Sequence, residues 1–128
     1  MEEALRAHLV ANAGLGALVA DRIQWDVRDE TSPCVALHLV DGPPDQTLKG
    51  KSGLVMYRVQ ADSWGRTFLE AKAVGEALLA ALPAIGQVVE GVKFHGSIHI
   101  DTERGRFGDA PNILFRTRHD IRVVTSPA

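Results

Sequence analysis

"YRVQADSWGRTFLEAKAVGEAL", Tyr57–Leu78, changes its hydrophobic period half-way along. Before Trp64, apolar and polar residues alternate. Val55, Tyr57, Val59 and Ala61 share one face and Arg58, Gln60 and Asp62 the other, as in a half-buried strand. After Gly65 the apolar positions are Phe68, Ala71, Gly75, Leu78 and Leu82, the stripe of a helix. Thr67-Phe68-Leu69-Glu70 reads as a capping box, in which a hydroxyl and a carboxylate each satisfy a free backbone N–H. Ala71, Ala77 and Ala80 are small enough to let this helix lie close to a sheet, and Pro83 stops it. Trp64 reads as an apolar plug at the strand end, over the helix start.

Toward the N-terminus, Glu2–Val10 has Ala4, Leu5, His8 and Leu9 at helical spacing, with Glu2 and Glu3 at the positive end of the dipole. Asn12 and Gly14 break or cap it, and Leu15–Ala20 forms another short helical turn. Arg22–Val27 is a short strand with Ile23 and Trp25 on one face. Cys34–Val40 is a second, where Val35, Leu37 and Leu39 alternate with Ala36 and His38. Asp41–Gly53 is a long polar loop rich in proline and glycine, and Leu54–Ser63 is the third strand. Phe94–Asp101 is a fourth, Thr102–Pro111 a second polar loop, and Asn112–Val124 a fifth strand before a short tail, Ser126–Ala128. The order α-β-β-β-α-β-β, without helical crossovers between most strands, predicts an α+β fold. Its sheet is mostly antiparallel, of about four to five strands, with helices packed on one face.

The chain has 128 residues, 45% of them hydrophobic, which fits one domain spanning 1–128 with a core of its own. No apolar run is long enough to cross a bilayer, and Met1-Glu2-Glu3 lacks the basic start of a secretory signal. Fourteen Lys+Arg against 16 Asp+Glu give a net charge of −2, without the basic excess of a domain that grips nucleic acid by bulk charge. A single cysteine, Cys34, excludes an internal disulfide and a Cys-rich zinc site.

Catalytic chemistry finds little support. Cys34 and His38 share a strand face but stand roughly 13 Å apart at strand rise. The same distance separates His95 from His99, too far for one metal unless His38 or Asp101 completed a site. No nucleophile elbow or P-loop occurs. The reading is therefore of a protein that is not an enzyme, with no cofactor and no metal. The fifth strand carries more: Ile113, Phe115, Thr117, His119, Ile121 and Val123 on one face, Arg116, Arg118, Asp120 and Arg122 on the other. With Arg58, Gln60 and Asp62, and with His95, Ser97, His99 and Asp101 of the fourth strand, this predicts a polar sheet face bearing both signs of charge. Such a face is either ordinary solvated surface or a contact surface for other subunits or a channel.

Four stretches together resemble the tail-completion family of long-tailed phages, also called tail terminator or tail-to-head joining proteins. They are "MEEALRAHLVANAGLGALVADRI" with its Asp21-Arg22-Ile23 step, "SPCVALHLV", "LVMYRVQADSWGRTFLEAKAVGEALLAAL" and "DTERGRFGDAPNILFRTRHDIRV". They cover nearly the whole chain; Cys34 departs from the aromatic or aliphatic residue expected there. The resemblance implies a structural virion protein at the tail neck, assembled in the host cytoplasm of a phage, prophage or gene transfer agent. It would form a homo-oligomeric ring, a hexamer in the family, on the head-proximal end of the tail tube. The ring stops tube growth, meets the major tail tube protein and a head-completion or connector protein, and lets DNA pass through its lumen without specific binding. No membrane is involved. The expected interface residues are Asp45, Gln46, Lys49 and Lys51 in the first long loop, Arg104 and Arg106 in the second, and Arg58, Asp62, Arg116, Arg118, Asp120 and Arg122 on the polar face. The alternatives are a small dimeric ligand-binding or enzymatic α+β domain, which predicts a deep apolar pocket, or another neck protein, either head-completion or minor tail.

Overall fold

The computed structural model describes residues 1–41 and 53–128. In chain order the elements are α1 (Glu2–Val10), α2 (Ala13–Val19), β1 (Ile23–Trp25), β2 (Cys34–Asp41), β3 (Val55–Gly65), α3 (Phe68–Ala80), β4 (Val88–Val89), β5 (Val92–Phe107) and β6 (Leu114–Pro127). One six-stranded sheet runs β1-β2-β3-β6-β5-β4. Every pairing is antiparallel except β1 with β2. The α+β class stands, with one more strand than expected and one parallel pair.

The parallel pair arises without a helical crossover. The connection 26–33 loops back past the end of the sheet, its Asp29 carbonyl accepting from Cys34 Sγ at 3.8 Å. Arg22 Nε ties its far end, donating to the Pro33 carbonyl at 2.9 Å. Asn12 caps α2 through its side-chain oxygen, which accepts from the Leu15 N–H, so it opens a helix as well as following one.

All three helices pack on one face of the sheet. There Leu5 and Leu9 of α1, Leu15 and Val19 of α2, and Val74 and Leu78 of α3 meet Val35, Leu37, Val59, Ala61, Phe94, Ile121 and Val123 in a single core. The helix α3 lies flat because two glycines leave room. A Cβ on Gly65 would stand 2.6 Å from the Ala71 backbone nitrogen, and one on Gly75 would stand 2.8 Å from the His119 ring. Its buried stripe is Ala71, Val74, Gly75 and Leu78; Phe68, expected in it, is exposed and Leu82 is half-buried. The Thr67 hydroxyl accepts from the Glu70 N–H. The Glu70 carboxylate bonds the Arg66 N–H at 2.9 Å, one residue before the cap, and that contact, followed by the Arg66 side chain, lowers the Glu70 pKa.

The outer edges of the sheet approach one another, since α1 touches both β1 and β4. Trp25 Nε1 donates to the Glu2 carbonyl at 3.0 Å and Arg6 Nε to the Ile23 carbonyl at 2.7 Å. The helix thus spans the seam of a curled sheet.

Two expectations about the last strands are corrected. Thr102–Phe107 is strand and not loop: β5 runs unbroken from Val92 to Phe107, paired with β6 to its end. Charged residues are tolerated there because this end of the hairpin is exposed on both faces, Glu103 on one and Arg104 and Arg106 on the other, while pairing with β6 satisfies the backbone. Ser126 and Pro127 likewise belong to β6, with Val92 opposite Pro127.

Candidate assembly surface

The face of the sheet opposite the helices carries the charge. Strand register puts Asp62 beside Arg118, Arg58 beside Arg122, Gln60 beside Asp120 and Trp64 beside Arg116. Six of the expected residues, Arg58, Asp62, Arg116, Arg118, Asp120 and Arg122, therefore share one surface. Arg104 and Arg106 do not: they pair with Thr117 and Phe115 on the helix side, and the Arg104 guanidinium lies over the Phe68 ring at 5.6 Å. Asp45, Gln46, Lys49 and Lys51 lie outside the described residues.

At the centre of the surface Asp62 accepts two hydrogen bonds from Arg118, at 2.7 and 2.9 Å. The Asp62 side chain is 3% exposed, so this is a buried pair capped by a half-exposed guanidinium. The bond from Asp62 raises the pKa of Arg118 against the opposing effect of burial. His38 Nε2 adds a third contact to Asp62 at 3.3 Å, and its Nδ1 lies 3.8 Å from Asp26. Arg58 pairs with Asp120 at 3.4 Å and Arg116 with Glu103 at 3.8 Å.

Trp64 belongs to this surface and not to the helix side, which corrects its reading as a plug over α3. Its partners in register are Cys34 and Arg116, and the residue beneath the start of α3 is Gly65. The Arg28 guanidinium lies over the Trp64 ring at 5.0 Å and Phe107 meets that ring at a tilt at 5.4 Å, while Arg116 covers Phe107 at 4.6 Å. These contacts hold the 26–33 connection and the end of the β5–β6 hairpin against the sheet. No sequence signal marks Arg28, Glu103 or Phe107 as partners, because each comes from a distant segment and register alone brings it in.

The histidines separate. Two irregularities in β5, between Phe94 and Gly96 and between His99 and Asp101, each insert one residue. The first reverses the alternation and the second restores it. Ser97 and His99 consequently face the helix side, opposite Val123 and Ile121, while Asp101 lies on the charged face, opposite Asp120. His95 Nε2 sits 2.7 Å from the Ser126 hydroxyl. His99 Nε2 sits 2.8 Å from the Thr102 hydroxyl and 2.9 Å from the Asp101 carbonyl. The His99 ring meets that of His119 edge-on at 4.9 Å. Burial, then the nearby charges of His99 and Arg104, lower the His119 pKa to about 4.

Among the described residues no group of three His, Cys, Asp or Glu side chains could hold a metal ion, and no helix is long and apolar enough to cross a membrane. The Cys34 thiol is buried and its pKa raised chiefly by desolvation, the opposite of an activated nucleophile. Among the described residues the concavities include open grooves, such as one of about 460 Å³ lined by Glu2, Glu3, Arg6, Ala7, Trp25 and Glu90. What the surface offers chemically is wide, charge-balanced contact area.

Residues 3–126 match the family model described as "Tail completion protein gp17". No curated protein matches the chain. Among solved structures, a chain from the virion of a native gene transfer agent particle superposes with a TM-score of 0.72 at 19% identity, over 98% of this chain and 94% of that one.

Proposed function

The chain belongs to the tail completion protein gp17 family, and from that premise we propose that it is a tail terminator. Copies close into a ring on the head-proximal end of a tail tube, stop its growth and present a surface to a head-completion or connector protein. DNA passes through the lumen without specific contact. The protein acts as a structural part of a virion or gene-transfer particle and catalyses nothing. The observation that carries this reading is the family match, which spans residues 3–126.

The surface chemistry supports it. A ring requires heterologous contacts that close by rotation. A face whose charges are largely paired within the subunit suits register-setting contact more than strong attraction for a polyanion. Arg58, Asp62, Arg116, Arg118, Asp120 and Arg122 contribute to contacts on this face. Asp45, Gln46, Lys49 and Lys51, in the connection between β2 and β3, meet tube or connector subunits, and Arg104 and Arg106 form a separate contact on the helix side.

The test is the mass of the purified protein by light scattering, alone and mixed with the major tail tube protein, followed by electron microscopy of tube ends. A ring-sized species capping the tubes is expected. A monomer or dimer that leaves tubes uncapped and growing would sink the reading.

A further inference from the structure

One corner of the open face is electrostatically unfinished. Arg58 and Arg122 stand directly opposite each other on β3 and β6, an arrangement that costs stability when nothing lies between the charges. Arg58 has Asp120 at 3.4 Å; among the described residues Arg122 has no ion-pair partner. The arginines are ringed by apolar side chains. Met56 lies opposite Val124 and Ile98 opposite Arg122, with Met56 55% and Ile98 59% exposed. Ile98 is there only because the first irregularity of β5 turns it outward. A regular strand continuing from the buried Phe94 would have turned it toward the helices.

On the other side of the sheet, at the seam spanned by α1, lies a groove of complementary character. Glu2, Glu3 and Glu90 line it, with Trp25 as its apolar wall. Arg6 lines the groove as well, but its guanidinium is engaged by carbonyls, donating to that of Ile23 at 2.7 Å and reaching that of Asp21 at 3.4 Å. None of the three carboxylates has an ion-pair partner among the described residues. The groove therefore presents unpaired negative charge and an aromatic ring, the surroundings in which an arginine is favoured.

From these two features we infer that the Arg58–Arg122 corner of one copy seats in the Glu2–Glu3–Glu90 groove of the next. The inference rests on the ring proposed above and assigns one of its contacts. The corner and the groove lie on opposite sides of the sheet. A copy using both therefore has one neighbour on each side, and the contact is head-to-tail and repeats. Carboxylates arriving between the arginines remove their mutual repulsion, and Met56 and Ile98 bury against the neighbour. Because the attraction is between charges that are exposed before assembly, it weakens with salt.

Charge reversal tests the pairing. Arg58→Glu/Arg122→Glu and Glu3→Lys/Glu90→Lys are made separately, with circular dichroism and melting temperature as the check that each is folded. Each alone is expected to associate at least tenfold more weakly than wild type under conditions where wild type forms rings. An equimolar mixture is expected to recover ring-sized mass, since every junction then joins either two native surfaces or two reversed ones. Arg122→Gln, which leaves the Arg58–Asp120 pair intact, serves if the double reversal does not fold, and is expected to give a smaller loss in the same direction. Rings formed normally by the folded variants alone would overturn this contact while leaving the ring itself standing. Loss in both variants without recovery on mixing would also overturn the pairing. Wild type that never forms rings, even with tubes, would remove the proposed function and this contact with it.

Discussion

Gly75 and His119 show how single residues set the spacing of the layers. The helix α3 approaches β6 closely enough that a methyl group on Gly75 would meet His119 at 2.8 Å and Thr117 at 3.2 Å. Alanine is worth about 0.5–1 kcal/mol over glycine inside a helix. Overpacking a filled contact costs about 1–3 kcal/mol. The second effect wins, so Gly75→Ala is expected to lower unfolding free energy by about 1–2 kcal/mol in urea titration. Gly65→Ala should cost more, because its obstacle is backbone and cannot rotate away. His119 has a pH signature. Its native pKa is about 4 against an ordinary 6.5, so above pH 6.5 it is neutral in both states and its contribution is complete. As pH falls from 6.5 toward 4 the unfolded chain takes up the proton first, and stability is lost across that window. Denaturation at pH 7, 5.5 and 4.5 should show this slope in wild type and a shallower one in His119→Gln.

At the scale of elements, β5 departs most from simple alternation. Its two inserted residues, His95 and Ile100, leave the pairing on either side in step with β6. Removing Ile100 should therefore keep Asp101 opposite Asp120, Glu103 beside Arg118 and Phe107 on Trp64. The expected cost is about 1 kcal/mol, from contacts of His99 at the bulge. Removing Thr102, which is in the regular ladder, shifts every residue from Glu103 to Phe107 to the opposite face. That deletion should lower the melting temperature several-fold more than the first. Equal effects would mean that register in the hairpin is not set by these pairs.

At the scale of the molecule, α1 spans the two edges of the sheet, and the core beneath it includes Leu5 and Leu9, both fully buried. Among the described residues, the hydrogen bonds that hold this seam join Trp25 to Glu2 and Arg6 to Ile23. Replacing residues 42–52 with a short glycine linker is expected to leave a folded monomer with an unchanged melting transition, because loop-closure entropy varies slowly with length. If Asp45, Gln46, Lys49 and Lys51 make the tube or connector contact, this variant no longer joins tails to heads. Joining that survives intact would remove those four residues from the assembly surface.

What the sequence by itself determined is local. The period change at Trp64–Thr67, the cap on α3 and the alternation of β3 and β6 are all carried by neighbours in the chain, so they can be read without coordinates. The charged face made by Arg58, Asp62, Arg116, Arg118, Asp120 and Arg122 was legible for the same reason, since each strand names its own polar side. Tertiary structure decided whatever depends on a partner far along the chain: which side Trp64 takes, the pairing of Asp62 with His38 as well as Arg118, the parallel β1, and the continuation of β5 through Thr102–Phe107. A strand rich in arginine and glycine looks like loop until a neighbour satisfies its backbone. An inserted residue reverses two faces without leaving a mark in composition. The physical cause is common to these cases: hydrogen-bond register is a property of two strands together, and one strand's sequence constrains only half of it.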